Sequence, residues 1–416
     1  MSRTAPQHEK RRRRAPQPPP SLMATLDVHS LAALGDGVGR SEEHGLVVFT
    51  PRTAPGDRVT ARVTVEGRVG RGRLESIVTP SPVRVAPRCT HYEAPDRCGG
   101  CQWQHVDLTA QREAKRHLVQ DAFARIGHIN VPLPEIKAGA AWAYRRSLTL
   151  AIRRRADGSV FAGLRAYDDP EAVFDLHECP ITDARVLDAW RAVLAPGAQR
   201  HLPEVTRLRG TIKVLDGHAL FVLEGGREWP ALHDFLAATP SIAAVWWQAE
   251  GKRRHLVADR RPAVGEGSGP SGAESGGPSG ASFVQVNEEV AAMVHADVVE
   301  RALAHAPRTV VDAYSGAGVT AVALAARGVR VVAVELDEQA TALAAAKLGE
   351  VSRAVAGQPT EGSRAMAARV EHALPHLLPA DVVILNPPRA GVDERVTQQL
   401  ALRGESTDAP AARAAA

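Results

Sequence analysis

The stretch Val310-Val311-Asp312-Ala313-Tyr314-Ser315-Gly316-Ala317-Gly318 constrains this chain most. A β-branched apolar run ends in a turn with two glycines and passes directly into a helix-forming segment, Val319–Arg327. Glycines at that place let a ligand approach the backbone closely at the carboxyl end of a strand. The flanks keep the alternation. The patterning predicts helices over Glu288–His305 and Asp337–Leu348, with a helix-like stretch over Asp393–Leu402. It predicts strands over Thr309–Ala313, Val331–Glu335 and Asp381–Leu385. Alternating strands and helices predict a doubly wound α/β, Rossmann-like domain with a parallel sheet.

Three signals in that domain point to a bound adenosine. Gly316 and Gly318 form the turn. Glu335 ends the next predicted strand, nineteen residues after Gly316, where a carboxylate can hold both ribose hydroxyls. Position 321 is alanine, so the third glycine of a phosphate-binding fingerprint is missing and a pyrophosphate is poorly provided for. S-adenosylmethionine carries an adenosine and no phosphate, and fits better. The third signal is Asn386-Pro387-Pro388-Arg389, directly after a predicted strand, where substrate meets cofactor in open α/β sheets. The prolines stiffen that loop. Arg389 replaces the aromatic residue that amino-group methyltransferases use to stack a base, which argues against amino methylation.

The rest of the chain reads as separate segments. Residues 1–22 are Arg- and Pro-rich without periodicity, carry six basic residues against one acid, and read as a disordered basic tail. Residues 23–80 contain short strands, Leu46–Phe49, Arg58–Val65 and Arg73–Val78, with a Pro55-Gly56-Asp57 turn between the first two. They predict a small β-barrel of the oligonucleotide-binding kind, with Arg62, Arg68, Arg71 and Arg73 as candidate RNA contacts. Residues 81–262 form a central α/β domain with a helix over Asp107–Ile126 and strands over Ser147–Arg153, Val160–Leu164, Thr211–Leu215 and Ala219–Leu223. Residues 263–282 are a Gly/Ser/Pro linker, and 283–416 the Rossmann-like part. Residues 97–155 hold eleven basic residues against four acids, whereas 283–416 hold twelve against sixteen. A basic centre suits a polyanion, and the acidic end suits a small-molecule pocket. No apolar run is long enough to span a bilayer, so neither a membrane partner nor a secreted location is expected.

The four cysteines are Cys89, Cys98, Cys101 and Cys179. Three fall within thirteen residues, which points to a metal site in a reducing cytoplasm rather than to disulfides. Cys98 and Cys101 flank Gly99-Gly100, a flexible turn from which two thiolates can reach one centre. Four thiolates suit zinc or a [4Fe–4S] cluster, and a close trio with one remote ligand favours the cluster.

Taken together, these motifs resemble the RNA (uracil-5-)-methyltransferase family of the TrmA/RumA type. Leu34–Gly39 with Pro55-Gly56-Asp57 resembles its N-terminal TRAM barrel, an RNA-binding module. Ser81-Pro82 to Cys89, Cys98–His105 and the His177–Ile181 segment resemble its cluster motif, which implies [4Fe–4S] on Cys89, Cys98, Cys101 and Cys179. Tyr144-Arg145-Arg146 resembles a stretch that faces RNA, and Ser282–Asn287 the cofactor-entry motif. The resemblance implies that Gln285, Tyr314 and Glu335 contact S-adenosylmethionine, with Gly316, Gly318 and Asn386 completing its site. It implies methylation of uridine C5 in RNA, ribosomal RNA ahead of tRNA, by a monomer.

That chemistry is demanding. Uracil C5 becomes nucleophilic only after a thiolate adds to C6; the resulting enolate attacks the sulfonium methyl, and a base then removes the C5 hydrogen. The family places its nucleophilic cysteine beyond the Asn-Pro-Pro-Arg loop. No cysteine follows Cys179 here, and twenty-five residues follow Gly391. No catalytic residue is therefore assigned. The expectation is a member lacking its catalytic end or, alternatively, a non-catalytic RNA-binding relative whose four cysteines hold an iron–sulfur cluster or zinc.

Overall fold

The computed structural model describes residues 21–261, 285–354 and 362–404. The Arg11–Arg14 run, the linker over 263–282, Ser282–Val284 of the entry motif and the stretch after Gly404 lie outside the described residues. The chain divides into two compact units, Met1–Ala94 with Cys98–Ile136, and Pro95–Arg97 with Lys137–Ala416.

The first unit is built on a closed barrel, β1 (Ser21–Leu31), β2 (Gly37–Ser41), β3 (Leu46–Thr50), β4 (Arg58–Glu66) and β5 (Val69–Thr79), in the order β1-β2-β3-β5-β4. Five strands enclose a narrow interior, filled by Ala24, Leu26, Val28, Val48, Val59, Ala61 and Val63. In β5 the sequence Val69-Gly70-Arg71-Gly72-Arg73 alternates glycine inward with arginine outward. A Cβ on Gly70 would stand 2.5 Å from Val63, and one on Gly72 2.3 Å from Thr50. The barrel thus needs the glycines to close, and the same alternation exposes Arg71 and Arg73. Asp57, in the Pro-Gly-Asp turn, accepts from the N–H of Ala54 (2.6 Å), that of Ser81 (2.8 Å) and from Arg84 Nε (2.8 Å) and Nη2 (2.7 Å). Helix α1 (Leu108–Arg125) follows, capped by Asp107.

The second unit holds two sheets. One is six-stranded: β6 (Ser147–Arg154), β7 (Val160–Gly163), β8 (Arg207–Leu215), β9 (His218–Glu224), β10 (Ile242–Gln248) and β11 (His255–Asp259), ordered β11-β10-β9-β8-β6-β7. Helices α2 (Ala184–Leu194), α3 (Pro196–Gln199) and α4 (Leu232–Ala238) belong to the core on one face of this sheet. There Trp190 meets Phe221 edge-on at 5.9 Å, and Phe235 lies 5.7 Å from Phe221 and 5.1 Å from Trp229.

The other sheet is all parallel. After α5 (Glu288–Leu303) come β12 (Thr309–Ala313), α6 (Val319–Ala325), β13 (Arg330–Glu335), α7 (Glu338–Ala354), β14 (Arg364–Ala367), α8 (Val370–Ala373), β15 (Val382–Leu385) and α9 (Glu394–Gly404). The order is β14-β13-β12-β15. One apolar cluster joins α5, α6 and α7 to one face, and a second joins α8 and α9 to the other. This is the doubly wound layering expected from the alternation. The expected helices and strands of this part are present, β12 with the expected ends and the others with shifted ones, and β14 and α8 are additional. Strand order reverses at β12, which has β13 on one side and β15 on the other, so the crevice beyond their carboxyl ends is the place for a ligand.

Candidate cofactor site

Three loops leave that carboxyl edge. The first, after β12, begins with Tyr314 at φ +60°, an uncommon left-handed position for a residue other than glycine. Gly316 (φ +55°) and Gly318 (φ +74°) continue the turn, and Gly318 starts α6. Nothing lies within 4 Å of where a Cβ on Gly316 would stand, so this side of the turn is open. A Cβ on Gly318 would come within 2.7 Å of the Ala344 Cβ on α7. The two glycines differ in purpose: one faces open space, and the other lets α6 and α7 approach.

The second loop is organised by Glu335. Its Oε2 accepts the Gly316 N–H (2.9 Å), and its Oε1 accepts the N–H groups of Leu336 (2.8 Å) and Asp337 (2.9 Å). The carboxylate therefore ties the end of β13 to the glycine turn after β12. A carboxylate has about four accepting positions. Three are used, all by backbone donors. The remaining capacity, on Oε2, is what a ribose hydroxyl would use.

The third loop follows β15. Asn386 donates its backbone N–H to Ala313 O (3.2 Å) and is exposed, and Gly391 donates to Pro388 O (2.9 Å), closing the turn. Tyr314 packs with Val392 and Val396 in the cluster on the α9 side. Burial, then the nearby Glu371 charge, raises the pKa of its hydroxyl. The loop after β12 thus leans on the segment after β15.

Beneath them Asp312 is 2% exposed. Its Oδ2 has no partner among the described residues. Burial first, then the Glu335 charge, push its carboxyl up to about 7. Sequence reasoning misses this residue, although a signal exists: an acid inside an otherwise apolar strand.

The fragment of the entry motif that is described, Gln285-Val286-Asn287, leads into α5. Gln285 is exposed, and Asn287 caps the helix by accepting the Val290 N–H (3.0 Å). This fragment is stapled to two other motifs. Arg146 N–H donates to Val286 O (2.9 Å), and Arg145 N–H donates to Ile181 O (2.8 Å). Arg145 bridges Thr182 on one side and Asn287 on the other. The Arg146 side chain lies 3.3 Å from Asp183 and 3.4 Å from Glu288. Thr182 in turn donates its hydroxyl to Cys179 Sγ (3.1 Å).

The cysteines fall in both units. Cys89, Cys98 and Cys101 belong to the first and Cys179 to the second. Cys98 N–H donates to His91 O (2.8 Å), Gly100 N–H donates to Cys98 Sγ (3.3 Å), and Tyr92 Oη donates to Gln102 O (2.7 Å). Among the described residues, no group of three or more His, Cys, Asp or Glu converges as a metal requires. No chemistry is routed through a metal centre here. Among these residues, too, no helix is long and apolar enough to cross a membrane.

No family model matches the chain. Individual proteins do. An uncharacterized RNA methyltransferase of Thermosynechococcus vestitus is 31% identical over 409 residues, covering 89% of this chain and 84% of the relative. The 23S rRNA (uracil(1939)-C(5))-methyltransferase RlmD of Chromohalobacter salexigens is 30% identical over 393 residues, covering 88% and 76%. Among solved structures, the Pyrococcus abyssi tRNA (uracil-54, C5)-methyltransferase in complex with S-adenosyl-L-homocysteine shares the fold. Its TM-score is 0.59 at 19% identity, over 90% of this chain and 86% of that one. A glycine turn latched by an acid at the switch point, together with such similarity along most of the sequence, leads to one conclusion: the chain belongs to the RNA (uracil-5-)-methyltransferase family.

Proposed function

We propose that this chain binds S-adenosylmethionine in the crevice beyond β12, β13 and β15 and serves the methylation of uridine C5 in RNA. The observation that carries the reading is the Glu335 carboxylate latched to Gly316, with accepting capacity left beside an open glycine turn. That arrangement suits an adenosine ribose, and alanine at 321 disfavours a pyrophosphate. In this reading Gln285, Tyr314, Gly316, Gly318, Glu335 and Asn386 form the cofactor site. S-adenosylmethionine supplies an electrophilic methyl group; the protein's own residues bind and orient it. Ribosomal RNA is the proposed substrate, supported by the activity in the name of the Chromohalobacter relative. The barrel, with Arg71 and Arg73 outward, is proposed as a TRAM-type RNA contact. A [4Fe–4S] cluster on the four cysteines remains part of the proposal, supported by their spacing and by the N–H and O–H donors on Cys98 and Cys179. Iron and labile-sulfide analysis of anaerobically purified protein tests it; absence of both removes the cluster.

A second reading has its own observation. No cysteine occurs in residues 283–416, so the thiolate that C6 addition needs is missing from this part of the chain. An RNA-binding relative without turnover fits that fact. Calorimetry with S-adenosylhomocysteine, paired with tritium release from RNA carrying 5-tritiated uridine, decides. Binding with release supports methylation, RNA binding without release supports the second reading, and absence of cofactor binding overturns the first.

A further inference from the structure

On the face of the six-stranded sheet opposite α2–α4, beyond the part that Leu220, Val222, Ala244 and Trp246 bury, the register sets Arg153 of β6 directly across from Arg207 of β8. Arg209 stands two residues along β8 on that same face, and the exposed Arg165 follows β7. Like charges directly opposite one another on a sheet face are destabilising, and a threonine would satisfy a surface strand better. Arg207 and Arg165 both depress the pKa of Arg153, after burial. The acids nearby are few and shared. Glu171 meets Arg207 at 3.4 Å with both side chains 71% exposed, and Glu224 is divided between Arg209 (2.8 Å) and Arg254 (2.6 Å). An ion pair as exposed as the first is worth at most about 1 kcal/mol and gives way readily to a better anion. Guanidinium groups in a row match the bidentate geometry and spacing of a phosphodiester backbone.

We propose that the Arg153/Arg207 pair, extended by Arg209 and Arg165, is a phosphate-gripping surface for RNA. The inference rests on the RNA reading above and goes beyond it, because it assigns the grip to named residues of a different sheet from the one that bears the cofactor crevice. Repulsion between the arginines is a cost to the free protein that phosphate binding offsets.

The test uses the whole chain and a fluorescein-labelled stem–loop RNA, with anisotropy titrations over a salt series. Arg153→Thr/Arg207→Thr is compared with Arg327→Ser, an exposed arginine just ahead of β13 at the amino edge of the other sheet. The double variant should bind at least about fivefold more weakly, and its log Kd against log salt slope should fall by about 1.5 to 2, two phosphate contacts' worth. Its melting temperature should stay the same or rise, and the single Arg207→Thr variant should show about half the slope change. Arg327→Ser should match wild type. Unchanged slope and affinity in the double variant, while wild type binds RNA, overturn the surface and leave the RNA reading standing. Failure of wild type to bind RNA overturns both.

Discussion

Asp57 and Asp312 are both buried acids, but only Asp57 is surrounded by donors. Burial raises the Asp57 pKa, yet the hydrogen bonds from Arg84, Ala54 and Ser81 outweigh it, and the net shift is downward. Its contribution to stability is present above the ordinary value of 3.8 and is lost as pH falls through the depressed one. Asp312 runs the other way. With a folded pKa of about 7, the folded state holds a proton that the unfolded state releases near 3.8. Stability therefore falls as pH rises from about 4 to about 7. Asp312→Asn should raise the melting temperature at pH 8 and change it little at pH 4; an equal shift at both would sink the assignment. Glu335→Gln must point an NH2 at one of the backbone N–H groups its carboxylate now accepts. We expect a loss of about 1–3 kcal/mol in stability and at least tenfold in S-adenosylhomocysteine affinity, read by melting and calorimetry. The sequence exposes Glu335 by its distance from Gly316. It hides that the same carboxylate holds the turn together, because such bonds depend on the fold rather than on spacing.

Among the elements, α6 and α7 meet at one glycine. Gly318→Ala adds a methyl that would sit 2.7 Å from Ala344, at a residue with φ +74°. Destabilisation of about 2 kcal/mol or more is expected, whereas Gly316→Ala, which faces open space, should cost stability mainly through its φ. Equal losses in denaturant melts would contradict this difference. The strands of the parallel sheet are legible in the sequence because buried β-branched runs have few alternatives. In the barrel, β1 and β2 are not legible as strands. The outward-facing Met23 and the register shift between Val28 and Ser30 interrupt the alternation of β1, and β2 is Gly-Val-Gly-Arg-Ser, glycine-rich for packing reasons: a Cβ on Gly37 would stand 2.0 Å from Thr53. The strand propensity there is low and tertiary closure overrides it. In the six-stranded sheet, β10 and β11 likewise escape the sequence reading. β14, Arg-Ala-Met-Ala, carries no β-branched residue at all.

At the scale of the molecule, the described residues place a closed barrel in one compact unit and a six-stranded and a four-stranded sheet in the other. Hydrogen exchange should register S-adenosylhomocysteine as added protection at residues 314–318, 335–337 and 386–391, with residues 21–79 unchanged; uniform protection or none would contradict a site confined to the β12–β15 edge. The cysteine spacing is plain in the sequence, whereas the donors to individual sulfurs, Gly100 N–H on Cys98 and the Thr182 hydroxyl on Cys179, follow from the local fold. The backbone around Arg145 and Arg146 joins residues near position 181 to residues near 286, two places separated by more than a hundred positions in the chain. Because consecutive amides serve the two places, a change that unseats the backbone at Arg145 and Arg146 leaves a carbonyl of each without its donor, and the two stretches keep or lose their order together.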